Sequence, residues 1–229
     1  MGRAHGVGNN LGVVKRDPAE RPPQRTTGLR AVFSIPSAYR LAQNLIGATS
    51  MRRILIKDIL RVESGDRVID VGCGTADILE NLPEVDYVGF DQSLRYIETA
   101  RRRFGDRGQF IIGTARSREL DGVDERDLAI AIGVLHHLDD DQVRSALEIA
   151  RHKLKPGGRF VSIDPTFADG QHPVGRWLAA RDRGQHVRTP DQTLEVVRNV
   201  FPGATVEVRH DLLRVPYSHV ICRANSPIV

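Results

Sequence analysis

Two cysteines, one tryptophan and two methionines are few for 229 residues, and aromatic side chains make up only 5% of the chain. Cys73 and Cys222 are too few for a disulfide framework and fit a reducing compartment. No Cys-x-x-Cys occurs and the eight histidines are scattered, so no metal-ligand cluster is expected. The longest apolar stretch, around Leu128–Leu135, falls far short of a membrane span. The N-terminus has no basic start followed by an apolar core, which argues against a secretory signal. A cytoplasmic protein without a membrane span is the expectation.

Acidic residues are also scarce, but only at one end. Residues 1–30 carry six lysines and arginines against Asp17 and Glu20, which accounts for the whole net charge of +4. This segment lacks hydrophobic periodicity and contains "RDPAERPPQRTTG", so it reads as a disordered basic tail ahead of a single domain at 31–229. The rest of the chain is neutral by count. A nucleic-acid enzyme would more often carry a basic face on its folded body, so nucleic acid is not the expected partner.

From Phe33 onward the chain gains periodicity. "SIPSAYRLAQNLIGA" and "SMRRILIKDILRV" place apolar residues at helical intervals, with Ser50 as N-cap of the second. Strand candidates follow at 67–71, 86–90, 109–113, 127–133 and 158–163, with helix candidates at 75–82, 93–104 and 140–154. Several strands are apolar without alternation, as expected of a sheet covered on both faces. "TPDQTLEVVRNVF" (189–201) is an amphipathic helix with Thr189 as cap and Pro190 at its first position. "TVEVRHDL" (205–212) and "YSHVICRA" (217–224) alternate at period two and form an antiparallel pair at the sheet edge. The fold class is therefore α/β: a doubly wound, mostly parallel, seven-stranded Rossmann-like sheet with an antiparallel C-terminal strand.

The sharpest stretch is "VIDVGCGTAD" (68–77), a strand followed by a glycine turn. Gly72 and Gly74 let a ligand approach the backbone closely. Asp70 is poorly placed beside a pyrophosphate and suits a ligand with a cationic group. Asp91, 21 residues beyond Asp70 in "VGFDQS", stands where a carboxylate accepts hydrogen bonds from ribose hydroxyls. A ribose, no pyrophosphate and a positive charge together describe S-adenosylmethionine.

These segments, with "YVGFDQSLRYIETARRRF", "DLAIAIGVLHHLDD" and "ARHKLKPGGRFVSID", resemble a class I S-adenosylmethionine-dependent methyltransferase over about residues 35–224. "GVLHHL" and "LKPGG" resemble loosely the small-molecule enzymes of the ubiquinone and menaquinone pathways. The resemblance implies that Asp70, Gly72, Cys73 and Gly74 form the floor under the methionine moiety, with Cys73 a packing residue rather than a nucleophile. It implies that Asp91 holds the ribose and that Gln92 lies by the adenine. Thr114 and Ala115 would contact the adenine, Thr114 standing where many relatives have an acid. Ile132 and Gly133 would line the cavity. Ala76 replaces a third glycine. The chain lacks, after its fourth strand, the Asn/Asp-Pro-Pro-aromatic sequence of base and glutamine-amide enzymes and the Pro-Cys pair of cytosine-carbon enzymes.

An oxygen acceptor needs a base, and three residues are candidates for catalysis: His136 and His137 after the fourth strand, and Asp164 ending the fifth in "SIDPTF". Each has a structural alternative, packing for the histidines and loop capping for Asp164. Tyr39 has one too, a cofactor-side residue or a half-buried helix tyrosine. The segment 167–188 holds Trp177, Arg176, Arg181 and Arg183 and reads as a roof over the acceptor pocket that favours an anionic substrate, or as solvated surface charge. The expected function is methylation of a small molecule or metabolite. Methylation of RNA or protein, and a catalytically silent cofactor-binding partner protein, are the alternatives.

Overall fold

The structure, a computed structural model, describes residues 54–113, 120–181, 184–213 and 216–228. The predicted tail, Ser50, Tyr39, Thr114, Ala115 and Arg183 lie outside the described residues.

Seven strands form one sheet: β1 (Arg67–Val71), β2 (Asp86–Asp91), β3 (Gln109–Ile112), β4 (Arg126–Ile132), β5 (Leu154–Pro165), β6 (Thr205–Arg209) and β7 (His219–Asn225). Their order is β3-β2-β1-β4-β5-β7-β6. The first five run parallel, while β7 is antiparallel to both β5 and β6. The C-terminal hairpin thus adds its second strand next to β5 and leaves its first at the edge.

Helices α1 (Leu94–Phe104), α2 (Asp140–Lys153), α3 (Pro173–Ala179) and α4 (Pro190–Arg198) accompany the sheet. Ser93 caps α1, and Asp139 and Thr189 form capping boxes with Gln142 and Gln192 at the starts of α2 and α4. Each such cap contributes on the order of 1 kcal/mol. Alternate residues of each strand enter opposite cores. Ile69, Val71, Ala129 and Phe160 pack beneath α2 and α4. Val68, Tyr87, Leu128 and Val161 pack beneath α1 and the helical segment Leu55–Leu60, whose backbone has π geometry. Both faces being covered explains the unbroken apolar runs.

The predicted helix at 75–82 does not form. Only a 3-10 turn, Asp77–Glu80, is present, because Ala76 before it is left-handed at φ 56° and Pro83 soon after it disfavours further helix. Ala76 is fully buried. Glycine there would relieve about 1 kcal/mol of backbone strain but lose a buried methyl and add chain entropy of similar size. Ala76→Gly is therefore expected to melt close to the parent protein, whereas the β-branched Ala76→Val should melt far lower.

Candidate active site

The carboxyl ends of β1, β2, β4 and β5 bring the predicted residues to one edge of the sheet. After β1, Gly72 and Gly74 adopt positive φ of 69° and 56°. The amides of Gly72 and Cys73 both donate to the Phe90 carbonyl, at 2.9 and 3.0 Å, which bends the turn over the end of β2. A Cβ on Gly72 would overlap Val134 Cγ2, so the turn also presses against the segment that follows β4.

Asp91 fastens this turn. Its Oδ2 accepts from the Gly74 amide at 3.0 Å and its Oδ1 from the Ser93 amide at 2.8 Å. Each oxygen keeps a lone pair, and the carboxylate is half-buried at the crevice. Burial pushes its pKa up, against the pull of the two amides. Gln92 beside it is exposed, Ile132 is half-buried, and Gly133 is exposed with φ 64°.

Asp70 behaves differently from Asp91. It lies beneath the turn, 3% exposed, and its Oδ2 accepts from the Tyr87 hydroxyl at 2.7 Å. Burial pushes its carboxyl up to about 7, Tyr87 pulls it down and the Asp91 charge adds to the rise. Tyr87 was not singled out from the sequence, since only the β1–β2 register places it on Asp70's face. Cys73 is partly buried, and its sulfur stands where a Cβ on Gly89 would fall. Burial, with Asp70 and Asp91 nearby, holds its thiol far above the usual range, so it is protonated and unsuited to nucleophilic attack at neutral pH.

The three catalytic candidates separate. His136 and Asp164 are both buried, with His136 Nδ1 2.8 Å from Asp164 Oδ1 and the His136 amide donating to the same oxygen at 3.1 Å. They tie the turn after β4 to the end of β5. A cavity of about 10 Å³, roughly one water in size, lies beside them. His137 is exposed, its ring centroid 4.0 Å from that of His136.

Arg188, also missed in the sequence, holds this turn in place. Its guanidinium donates to the carbonyls of Leu135 and Leu138, both at 2.9 Å, and pairs with Asp140 at 2.6 Å. Its own carbonyl accepts from Thr166 Oγ1 at 2.9 Å, beyond the end of β5. Asp140 is largely exposed, so the ion pair contributes little and the carbonyl bonds dominate. Arg188→Ala is expected to cost about 2–4 kcal/mol in urea unfolding. Arg188→Lys should recover only part of it, since one ammonium cannot reproduce the planar fork.

The rest of segment 167–188 is pinned at two close approaches. Gly175 of α3 meets the Pro216 carbonyl, and Gly184 lies on the His136 ring, in both cases where a Cβ would overlap. Trp177 is 53% exposed, with the Arg181 guanidinium 4.1 Å from its ring centroid. Arg176 lies 5.5 Å over Phe167.

The strand order, the glycine turn and the acid ending β2 define a Rossmann-like fold of the class I methyltransferase type. Residues 69–160 match the family model of a methyltransferase domain. Solved structures share the fold. Human N-acetylserotonin methyltransferase, in complex with S-adenosylmethionine, aligns at TM-score 0.60 and 19% identity over 86% of this chain and 58% of its own. The pyocyanin biosynthetic protein PhzM aligns at 0.63 and 20% over 85% of this chain and 60% of its own. This chain thus spans less than two thirds of the length of either protein. The methyltransferase solved with the Haloferax volcanii Trm112 activator aligns at 0.61 and 16%, over 85% of this chain and 96% of that one. No curated protein sequence matches. Among the described residues no helix is long and apolar enough to cross a membrane.

Proposed function

We propose that the chain is an S-adenosylmethionine-dependent methyltransferase that acts on a small molecule or metabolite. The observation that carries this reading is Asp91. A carboxylate at the end of β2, hydrogen-bonded to the glycine turn and still able to accept two more bonds, fits a ribose diol. The residues suit the cofactor in other ways too. The turn admits a close ligand, and the acids Asp70 and Asp91 suit a cation where a pyrophosphate would be repelled.

When bound, S-adenosylmethionine supplies a methyl group on a sulfonium that leaves as a neutral thioether. The protein's contribution is then alignment and exclusion of water. Gly72, Cys73, Gly74 and Asp91 hold the cofactor's methionine and ribose ends, with Gln92, Thr114, Ala115, Ile132 and Gly133 around the adenine and the cavity. His137, exposed after β4, takes the proton of an oxygen or nitrogen acceptor. His136 and Asp164, buried together, buttress it. Segment 167–188 selects the acceptor, and Arg181 and Arg176 favour an anionic one. The small-molecule acceptor is supported by the charge-neutral body of the chain and by the fold shared with PhzM and the N-acetylserotonin enzyme. A second reading is a methyltransferase of RNA or protein; that it would work with a protein partner is supported by the fold shared with the protein solved in complex with the Trm112 activator.

Calorimetry tests the core of the proposal. S-adenosylmethionine and S-adenosylhomocysteine should bind at micromolar levels and NAD should not; binding of NAD alone would overturn it. Incubation with labelled cofactor and a size-fractionated extract then separates the two readings, according to whether label enters small molecules or macromolecules.

A further inference from the structure

Asp70 and Tyr87 form a buried, hydrogen-bonded pair under the glycine turn, 3% and 1% exposed. Asp70 sits opposite Gly89 of β2 and Ile130 of β4 in the parallel ladder, and Tyr87 precedes Gly89 by two positions, on the same face. The ionisable groups that face Asp70 are Tyr87 and Asp91 from β2 and Cys73 from the turn. Other elements on this face contribute apolar side chains: Leu128 and Ile130 from β4, Ile97 and Ala100 from α1, and Leu55 and Ile59 from the helical segment, whose Lys57 and Asp58 are exposed. Asp77, beyond Tyr87, is paired with Arg103. Among the described residues, no lysine, arginine or histidine makes an ion pair with Asp70 or Asp91. Two acids, Asp91 at the crevice and Asp70 buried beneath the turn, therefore have no described protein countercharge.

Resting on the methyltransferase reading, we infer that Asp70, steadied by Tyr87, is a specificity-determining residue that favours the sulfonium cofactor over its neutral-sulfur product. The two ligands differ by one methyl group and one positive charge. Their ribose, adenine and amino-acid ends are the same, so Asp91 serves both alike. An ionised Asp70 attracts the α-ammonium that both ligands carry, but the sulfonium of one alone, and that second attraction disappears when the methyl group leaves. Product is thereby easier to release than cofactor. A protonated Asp70 makes no such distinction.

The sign of the pH dependence follows. A cationic ligand lowers the pKa of a nearby carboxyl, so its affinity relative to the neutral ligand rises as the carboxyl ionises. With Asp70 near 7 beside a neutral ligand and about one unit lower beside a cation, the change falls between about pH 5 and about pH 8.

The test is calorimetry of the full chain with both ligands across that range. The ratio of product Kd to cofactor Kd should rise by about tenfold, the change that one unit of difference in Asp70 pKa between the two complexes produces. Tyr87→Phe removes the hydroxyl that stabilises the carboxylate, so it should move the rise to higher pH. Asp70→Asn should leave the ratio flat. Should Asp70→Asn not fold, the displacement in Tyr87→Phe decides the matter alone. Tight binding with a pH-independent ratio, or the same rise in Asp70→Asn, overturns this inference and leaves the methyltransferase reading standing. Binding of neither ligand at any pH overturns both.

Discussion

Replacing Asp91 with alanine is expected to weaken S-adenosylmethionine and S-adenosylhomocysteine binding by roughly a hundredfold. Two hydrogen bonds from ribose hydroxyls to a carboxylate, at about 1.5 kcal/mol each, sum to about 3 kcal/mol, which is that factor in Kd. The loss has a structural part as well. Asp91 accepts the amides of Gly74 and Ser93, so the alanine variant frees the glycine turn from the end of β2. A drop of about 1–2 kcal/mol in unfolding free energy should accompany the loss of affinity. Asp91→Asn keeps one acceptor oxygen and should fall between the two proteins in both measurements. An alanine variant that binds as the parent does would place the cofactor elsewhere.

Gly72→Ala is expected to cost about 2–4 kcal/mol of stability and to abolish measurable cofactor binding. Alanine at φ 69° carries backbone strain of about 1 kcal/mol, and its Cβ overlaps Val134 Cγ2, adding about 1–3 kcal/mol of overpacking. These terms are separable. In the double variant Gly72→Ala/Val134→Ala the overlap with Cγ2 is gone, while a tight approach to the Cβ of residue 134 at 3.0 Å and the backbone strain remain. It should melt above Gly72→Ala alone, although Val134→Ala by itself is destabilising. Strict additivity of the two single changes would show that the turn relaxes away from Val134 without help.

The parts of the fold that could be read in advance are those set by local pattern. Strand β1 falls at 67–71 as predicted, because "RVIDV" between a Gly-Asp turn and a glycine turn has no competing structure. Thr189, Pro190 and Gln192 announce α4 by capping chemistry alone. The helix predicted at 75–82 failed where a local pattern met a backbone constraint. Ala76, Ile78, Leu79 and Leu82 have helical spacing, but the left-handed Ala76 and Pro83 leave room for one turn. Pairing across strands was beyond reach. Asp70 meets Tyr87 only through the register of β1 with β2, and His136 meets Asp164 only because Ile132 stands opposite Ile163 in β4 and β5. Arg188 is 50 residues from Leu138, whose carbonyl it holds, and nothing in the composition around it marks that role. Gly184 could have been suspected as a close-approach glycine, but not its contact, His136.

Trp177 is the only tryptophan in the chain, and it sits on α3 with its ring half in solvent under the Arg181 guanidinium. Tryptophan emission from this protein is therefore a one-site signal that reports on α3 with no second indole to dilute it. An acceptor that draws Arg181 away from the ring would alter that emission without any label. Candidate acceptors can thus be screened by fluorescence titration before the methylated product has been identified.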